Sequence, residues 1–182
     1  MTTSALIKRA LERADKLVTD SPQRGQRTYV NRAVLSDGTR CTVEEKDHVF
    51  VTDVGRGLGG SDEWPTPGTL LRSALSSCVA IGIQLWAARR EIPVDHIEVT
   101  LEADSDARGI LGLSDTVSPG FTGLRVRIDV RSPAPAAAVE TAIADSLRYS
   151  PIWDAVGNAQ IIAHDIRVGG AKELADGGVD GR

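Results

Sequence analysis

The feature that most constrains this chain is one long apolar run, Thr66-Pro-Gly-Thr-Leu-Leu-Arg-Ser-Ala-Leu-Ser-Ser-Cys78-Val-Ala-Ile-Gly-Ile-Gln-Leu-Trp-Ala-Ala-Arg-Arg90. Pro67 stands where a helix tolerates proline, near its first turn. Leu70, Leu71, Ala74, Leu75, Cys78, Val79, Ile81, Gly82, Leu85 and Trp86 then spread apolar or small side chains around the whole circumference. A helix apolar on nearly every side is expected to be buried on nearly every side. The run therefore predicts the central element of the fold, shared with a partner subunit. Arg72, Gln84 and several serines mark it as a core helix instead of a membrane span.

The remaining elements follow from local patterns. Ala5–Val18 has apolar residues three to four apart, and Ser21-Pro22 ends that helix. Strands are expected over Arg27–Leu35, Arg40–Glu45 and His48–Val54, with Ser36-Asp37-Gly38 and Lys46-Asp47 as the turns. Gly55 to Pro65 is glycine-rich but lacks the Gly-Lys-Ser/Thr of a phosphate loop, so it reads as a connection over a helix entrance. After Pro93, Val94–Ala103 and Gly123–Arg131 alternate as strands. The stretch between them is long enough to hold a short element of its own. Ala136–Leu147 and Ser150–Val156 read as helices, and Gln160–Val168 as a closing strand. Antiparallel strands with interposed helices indicate an α+β two-layer sandwich, antiparallel sheets around the long helix. The expected organisation is an N-terminal helical arm over 1–22, one domain over 23–168 and a disordered glycine- and acid-rich tail over 169–182.

Composition narrows the function classes. The 182 residues carry a net charge of −4, and their Lys and Arg are scattered. Nucleic acid is a poor fit to such a chain, because phosphate binding needs concentrated positive charge. The amphipathic, charge-rich first twenty residues do not resemble a secretory leader. Two cysteines make no disulfide framework, so a reducing cytoplasmic setting is expected. His48, His96 and His164 are widely separated, which offers neither a metal site nor a cofactor motif. Cys41 lies mid-strand and reads as inert. Cys78 has two readings: a small core hydrophobe, or a nucleophile around which a redox site is built.

The segment Asp53-Val-Gly-Arg-Gly-Leu-Gly59-Gly60-Ser-Asp62-Glu-Trp-Pro65-Thr-Pro67-Gly-Thr-Leu70-Leu71-Arg-Ser-Ala74-Leu75-Ser-Ser-Cys78 resembles the osmotically inducible protein C / organic hydroperoxide resistance (OsmC/Ohr) family. The shared parts are a glycine-rich loop, a proline-anchored helix start and a cysteine two to three turns along that helix. Residues 27–168 follow the family order, and the N-terminal helix is an addition seen in some branches.

The resemblance implies an intertwined homodimer with its central helices packed together and two active sites at the subunit interface. In active members a peroxidatic cysteine attacks the O–O bond of an organic hydroperoxide, an Arg–Glu pair activates its thiolate, and a Cys-Pro on the second helix supplies the resolving thiol. A dithiol such as a lipoylated protein then reduces the disulfide. Carried onto this chain, Cys78 matches the peroxidatic position. Gly68 stands where the glutamate is expected, and Ser150-Pro151 where the resolving Cys-Pro is expected. Arg56 is the best candidate for the activating cation, with Arg27 and Arg32 as alternatives, and Glu63 is the nearest substitute carboxylate. Trp64, Ser150 and Trp153 would border a hydrophobic ligand pocket.

Three functions remain open on these grounds. The leading one is a single-cysteine organic hydroperoxide reductase in oxidative-stress defence, served by an external thiol reductant. The others are a non-catalytic dimer binding a small apolar ligand, and a purely structural dimer. None of them calls for a cofactor, a metal or a membrane.

Overall fold

A computed structural model describes residues 2–169. Helix α1 (Thr3–Asp20) opens on Thr2, whose hydroxyl accepts the Ala5 amide at 3.3 Å. It closes at Ser21, and a 3-10 turn over Pro22–Gly25 follows. The helix lies along the next one, α2 (Pro67–Arg89), tied to it by Asp15–Arg89 at 2.5 Å and to the turn just past its end by Lys8–Glu91 at 2.8 Å.

Strands β1 (Arg32–Asp37), β2 (Arg40–Glu45) and β3 (His48–Thr52) form one antiparallel sheet in that order. The first strand begins five residues later than the alternation suggests. Register explains the difference: Arg32 already pairs with Glu44, and β2 turns back at Glu45, so residues 27–31 have no strand opposite them. Ala33, Val43 and Phe50 pair across one face, with Leu35, Cys41 and Thr52 one step along. Val34, Leu35, Val49 and Phe50 all remain well exposed in the single chain.

Helix α2 starts as its sequence dictates. Thr66 Oγ1 accepts the Thr69 amide at 3.1 Å, and Pro67 occupies the first helical position. Leu75, Val79, Ile83 and Ala87, four residues apart, form its buried stripe. The expectation of burial on nearly every side fails within one chain: Leu71 and Ile81 are 45% and 60% exposed. The elements packed on α2 are α1, a later strand (His96–Ser105) and two later helices (Ala136–Arg148 and Pro151–Gly157), and they leave these two side chains uncovered. By length and composition alone α2 is also the one helix among the described residues able to cross a membrane.

Strands β4 (His96–Ser105) and β5 (Phe121–Arg131) form a two-stranded antiparallel ladder, with Ile97, Val99 and Leu101 opposite Val130, Ile128 and Val126. The connection between them holds a short helix α3 (Ala107–Ile110), whose first turn is capped by Asp106. Helix α4 (Ala136–Arg148) packs against α2, and helix α5 (Pro151–Gly157) begins at a Ser150 cap. Ala87, Ile92 and Ala142 form a core cluster, with Trp86 and Val139 packed on it.

The fold class is thus α+β with antiparallel sheets, as the sequence predicts. One element differs. Residues 160–168 form no strand with any described part of the chain, and Ile161, Ile162, Ile166 and Val168 are almost wholly exposed. The apolar content is that of a strand, but no described edge of this chain pairs with it. The expected tail over 169–182 falls outside the described residues, except for Gly169.

The contact that sets the helix arrangement is where α4 crosses α2. Ser146, fully buried, donates its hydroxyl to the Val79 carbonyl at 3.1 Å, and a Cβ on Gly82 would collide with that same hydroxyl oxygen. Gly82→Ala is therefore expected to overpack the crossing and cost about 1–3 kcal/mol of stability. A urea titration reads this as a lower midpoint at unchanged slope.

Candidate active site

Along α2, Cys78 lies one helical turn before Gly82, and along the opposing chain segment Ser150 lies four residues after Ser146. The two helices run antiparallel at their crossing, so the Gly82–Ser146 contact brings Cys78 and Ser150 together as the next pair. Their side chains meet at Sγ···Oγ 3.2 Å across 72 residues of sequence. Ser150 is only 4% exposed, while Cys78 is half-buried. The same serine oxygen accepts the Trp153 amide at 3.2 Å and so caps α5. A thiol at this position is hydrogen-bonded to a fixed hydroxyl and partly open to reagent, unlike a thiol enclosed by apolar side chains.

A second cluster shapes the loop ahead of α2. Asp53 is 3% exposed. Its Oδ1 accepts from the Thr39 hydroxyl at 2.6 Å and the Val54 amide at 2.8 Å, and its Oδ2 from the Ser61 amide and hydroxyl at 2.8 and 2.7 Å. These donors, the Thr39 hydroxyl first among them, hold the Asp53 carboxyl far below the usual carboxylate range. A Cβ on Gly60 would strike the Val54 carbonyl, and Gly59 has φ 89°, a left-handed conformation. The glycines thus serve a loop that folds back on its own aspartate. The sequence signal for this knot, an Asp directly before a glycine-rich loop with Ser and Thr nearby, is legible only in retrospect.

The other candidate residues are dispersed within the single chain. Arg56 sits on an exposed 3-10 turn, Arg56–Leu58, and donates to the Ser61 carbonyl at 3.4 Å, so its described polar contact stays within the loop. Arg32 pairs with Glu44 at 3.4 Å, and Arg27 lies exposed ahead of β1. Glu63 is exposed on the same loop as Arg56. Trp64 lies against the Arg40 guanidinium, 5.7 Å from its ring centre, in a cleft with Gly59 and Gly60. Trp153 borders a separate cleft with Leu147 and Arg148. Gly68 lies in the first turn of α2 beside Arg72, which is held by Thr69 at 3.2 Å and stacked over Phe121. Cys41 is free and half-buried, and it lines an apolar cavity of about 480 Å³ with Ala33, Leu35, Val43, Phe50 and Leu70. Among the described residues no group of three or more His, Cys, Asp or Glu side chains is placed to hold a metal ion.

The family to which this geometry belongs is visible in its matches to known proteins. Residues 60–165, more than half the chain, match the family described as OsmC-like protein. The chain belongs to that family. Its fold is similar to that of an OsmC-like protein from Mycoplasma pneumoniae, with a TM-score of 0.61 and 15% identity over 72% of this chain and 89% of that one. It is likewise similar to an organic hydroperoxide resistance protein OsmC from Legionella pneumophila, with a TM-score of 0.51 and 22% identity over 71% and 89%. An OsmC-like protein of unknown function from Vibrio cholerae matches with a TM-score of 0.56 and 11% identity over 71% and 93%. No curated protein matches the chain in sequence. At these identities the structural likeness establishes the OsmC-like fold, and the matched region takes in Cys78, Gly82, Ser146 and Ser150.

The Asp53 knot gives a pH prediction. Its folded-state pKa lies below the unfolded value of about 3.9, so its stabilisation is complete above that value and fades as the pH falls further. Asp53→Asn places an amide N–H₂ against the Ser61 donors. The variant is expected to melt earlier than wild type at pH 7, with the gap closing as the pH falls from about 5 towards 2. Melting curves across that range check it.

Proposed function

We propose that this protein is a homodimeric, single-cysteine organic hydroperoxide reductase of the cytoplasm, with Cys78 as its reacting thiol. The observation that carries the reading is the Sγ···Oγ contact with Ser150 at 3.2 Å, which places the family-position cysteine beside a buried hydroxyl. In the reaction the Cys78 thiolate attacks the distal oxygen of ROOH. The S–O bond forms as O–O breaks, sulfur loses two electrons, and the departing alkoxide takes a proton from water to leave ROH and Cys78–SOH. An external thiol R′SH then displaces water to give a mixed disulfide, and a second R′SH releases R′SSR′ and restores Cys78. Ser150 cannot take the resolving thiol's part, since it has no sulfur to offer.

In this reading Arg56, on the loop that the Asp53 knot fixes, supplies the cation that favours the thiolate, with Arg27 and Arg32 as the strand alternatives. Trp64 and Trp153 border the substrate pocket once two chains are joined. The second copy is supported by what a single chain leaves unpartnered. The β1–β3 sheet exposes Leu35, Val49 and Phe50, α2 exposes Leu71 and Ile81, and residues 161–168 carry four exposed aliphatics. An isolated three-stranded sheet needs its apolar face packed to be stable. The organic hydroperoxide resistance protein from Legionella pneumophila, similar in fold, points to the same substrate class.

A second reading, a non-catalytic dimer that binds a small apolar ligand, is favoured by the cavity of about 480 Å³ between the β1–β3 sheet and Leu70, and by Gly68 in place of a carboxylate. One assay separates the two. With dithiothreitol as reductant, wild type should consume cumene hydroperoxide, and Cys78→Ser should return the rate to the uncatalysed background. No consumption by wild type, together with ligand-dependent thermal stabilisation that survives Cys78→Ser, would favour the binding protein.

A further inference from the structure

We infer that Ser150 is the hydrogen-bond donor that holds Cys78 as a thiolate before oxidation and as a sulfenic acid after it. Only the sulfenic-acid role rests on the hydroperoxide reading; the thiolate role does not. The basis is a count of protons at Ser150 Oγ. A serine hydroxyl has one proton and two lone pairs. One lone pair is taken by the Trp153 amide at 3.2 Å. The residue is 4% exposed, so bulk water is a poor partner for the remaining proton. Its partner in the structure is Cys78 Sγ, at 3.2 Å.

Two arrangements satisfy the contact when Cys78 is protonated. Either the thiol donates to the second lone pair of Ser150, which leaves the buried hydroxyl proton without an acceptor, or Ser150 donates to sulfur. Once Cys78 loses its proton only the second arrangement exists, and it is the stronger bond because its acceptor is charged. Ser150 therefore discriminates in favour of the anion. It is also fixed before reaction starts. The α5 cap holds its oxygen, and the Ser146–Val79 bond over Gly82 holds the helix that leads into it. A dipole already in place costs no reorganisation when charge appears on sulfur.

The same geometry decides the fate of the oxidised state. At the position where a thiol would condense with Cys78–SOH, this chain offers a hydroxyl that hydrogen-bonds to it without reacting. The sulfenic acid is retained until an external thiol reaches it, and water leaves only at that step.

The test uses full-length protein in a Cys41→Ser background at pH 7, with iodoacetamide alkylation and oxidation by one equivalent of cumene hydroperoxide followed by intact mass. Ser150→Ala is expected to slow both reactions by at least about tenfold, the scale of a hydrogen bond to a charged group. Ser150→Thr, which keeps the donor, should stay within about threefold of wild type. Ser150→Cys should lose two hydrogens on oxidation, as a disulfide forms between Cys78 and the introduced thiol, where the parent gains one oxygen. Equal rates for Ser150→Ala and its parent, with both folded by melting curve, would overturn the donor role. A Ser150→Cys protein that gains oxygen but forms no disulfide would overturn the proximity on which it rests. If the parent fails to react with the hydroperoxide yet its alkylation still depends on the Ser150 hydroxyl, the donor role to the thiolate stands and the reductase reading falls.

Discussion

The close crossing of α2 and α4 is the constraint on which the rest of the site depends. Gly82 has no side chain, so Ser146 can reach the Val79 carbonyl and the helices meet backbone to side chain. The Cys78–Ser150 contact follows from carrying that crossing four residues further along each chain segment, to the point where α4 has ended and α5 is capped. Cys78 lies one turn back along α2, Ser150 one turn forward beyond Ser146, and the thiol and hydroxyl arrive within hydrogen-bonding distance. A bulkier residue at position 82 would part the helices and separate that pair first. A stability feature and a chemical feature are thus the same contact viewed at adjacent turns.

The long helix, the hairpins and the alternating strands β4 and β5 were legible because each depends on local pattern. Pro67 marks the start of α2, and Leu124, Val126, Ile128 and Val130 alternate cleanly within β5. What local pattern could not supply were features set by distant pairing. The late start of β1 is decided by where β2 turns, and the absence of a strand over 160–168 by the lack of a partner edge among the described residues. The Asp53 knot joins residues 39, 53, 54 and 61 through a loop whose path no periodicity describes. Cys78 and Ser150 were each identifiable from the family resemblance, but their direct contact is a product of the α2–α4 register.

On the OsmC-like scaffold this chain surrounds Cys78 with its own set of partners. Gly68 lies in the first turn of α2 with Arg72 alongside it, stacked on Phe121 and bonded to Thr69. Ser150 provides both the α5 cap and a hydrogen bond to the cysteine. The glycine-rich loop is shaped by the Asp53 carboxylate, which accepts both the amide and the hydroxyl of Ser61. A fixed hydroxyl therefore borders Cys78, and in the proposed single-cysteine reaction the resolving thiol comes from outside the chain.

The central claim is that Cys78 is a reactive thiol by virtue of its surroundings. Cys41, also free and half-buried but lining an apolar cavity, is the control within the same molecule. The most direct measurement is a competition: native wild-type protein at pH 7 is treated with substoichiometric iodoacetamide, and the label on the two cysteine peptides is compared by mass spectrometry. Label concentrated on Cys78 is the predicted result. Label divided evenly, or concentrated on Cys41, would contradict it.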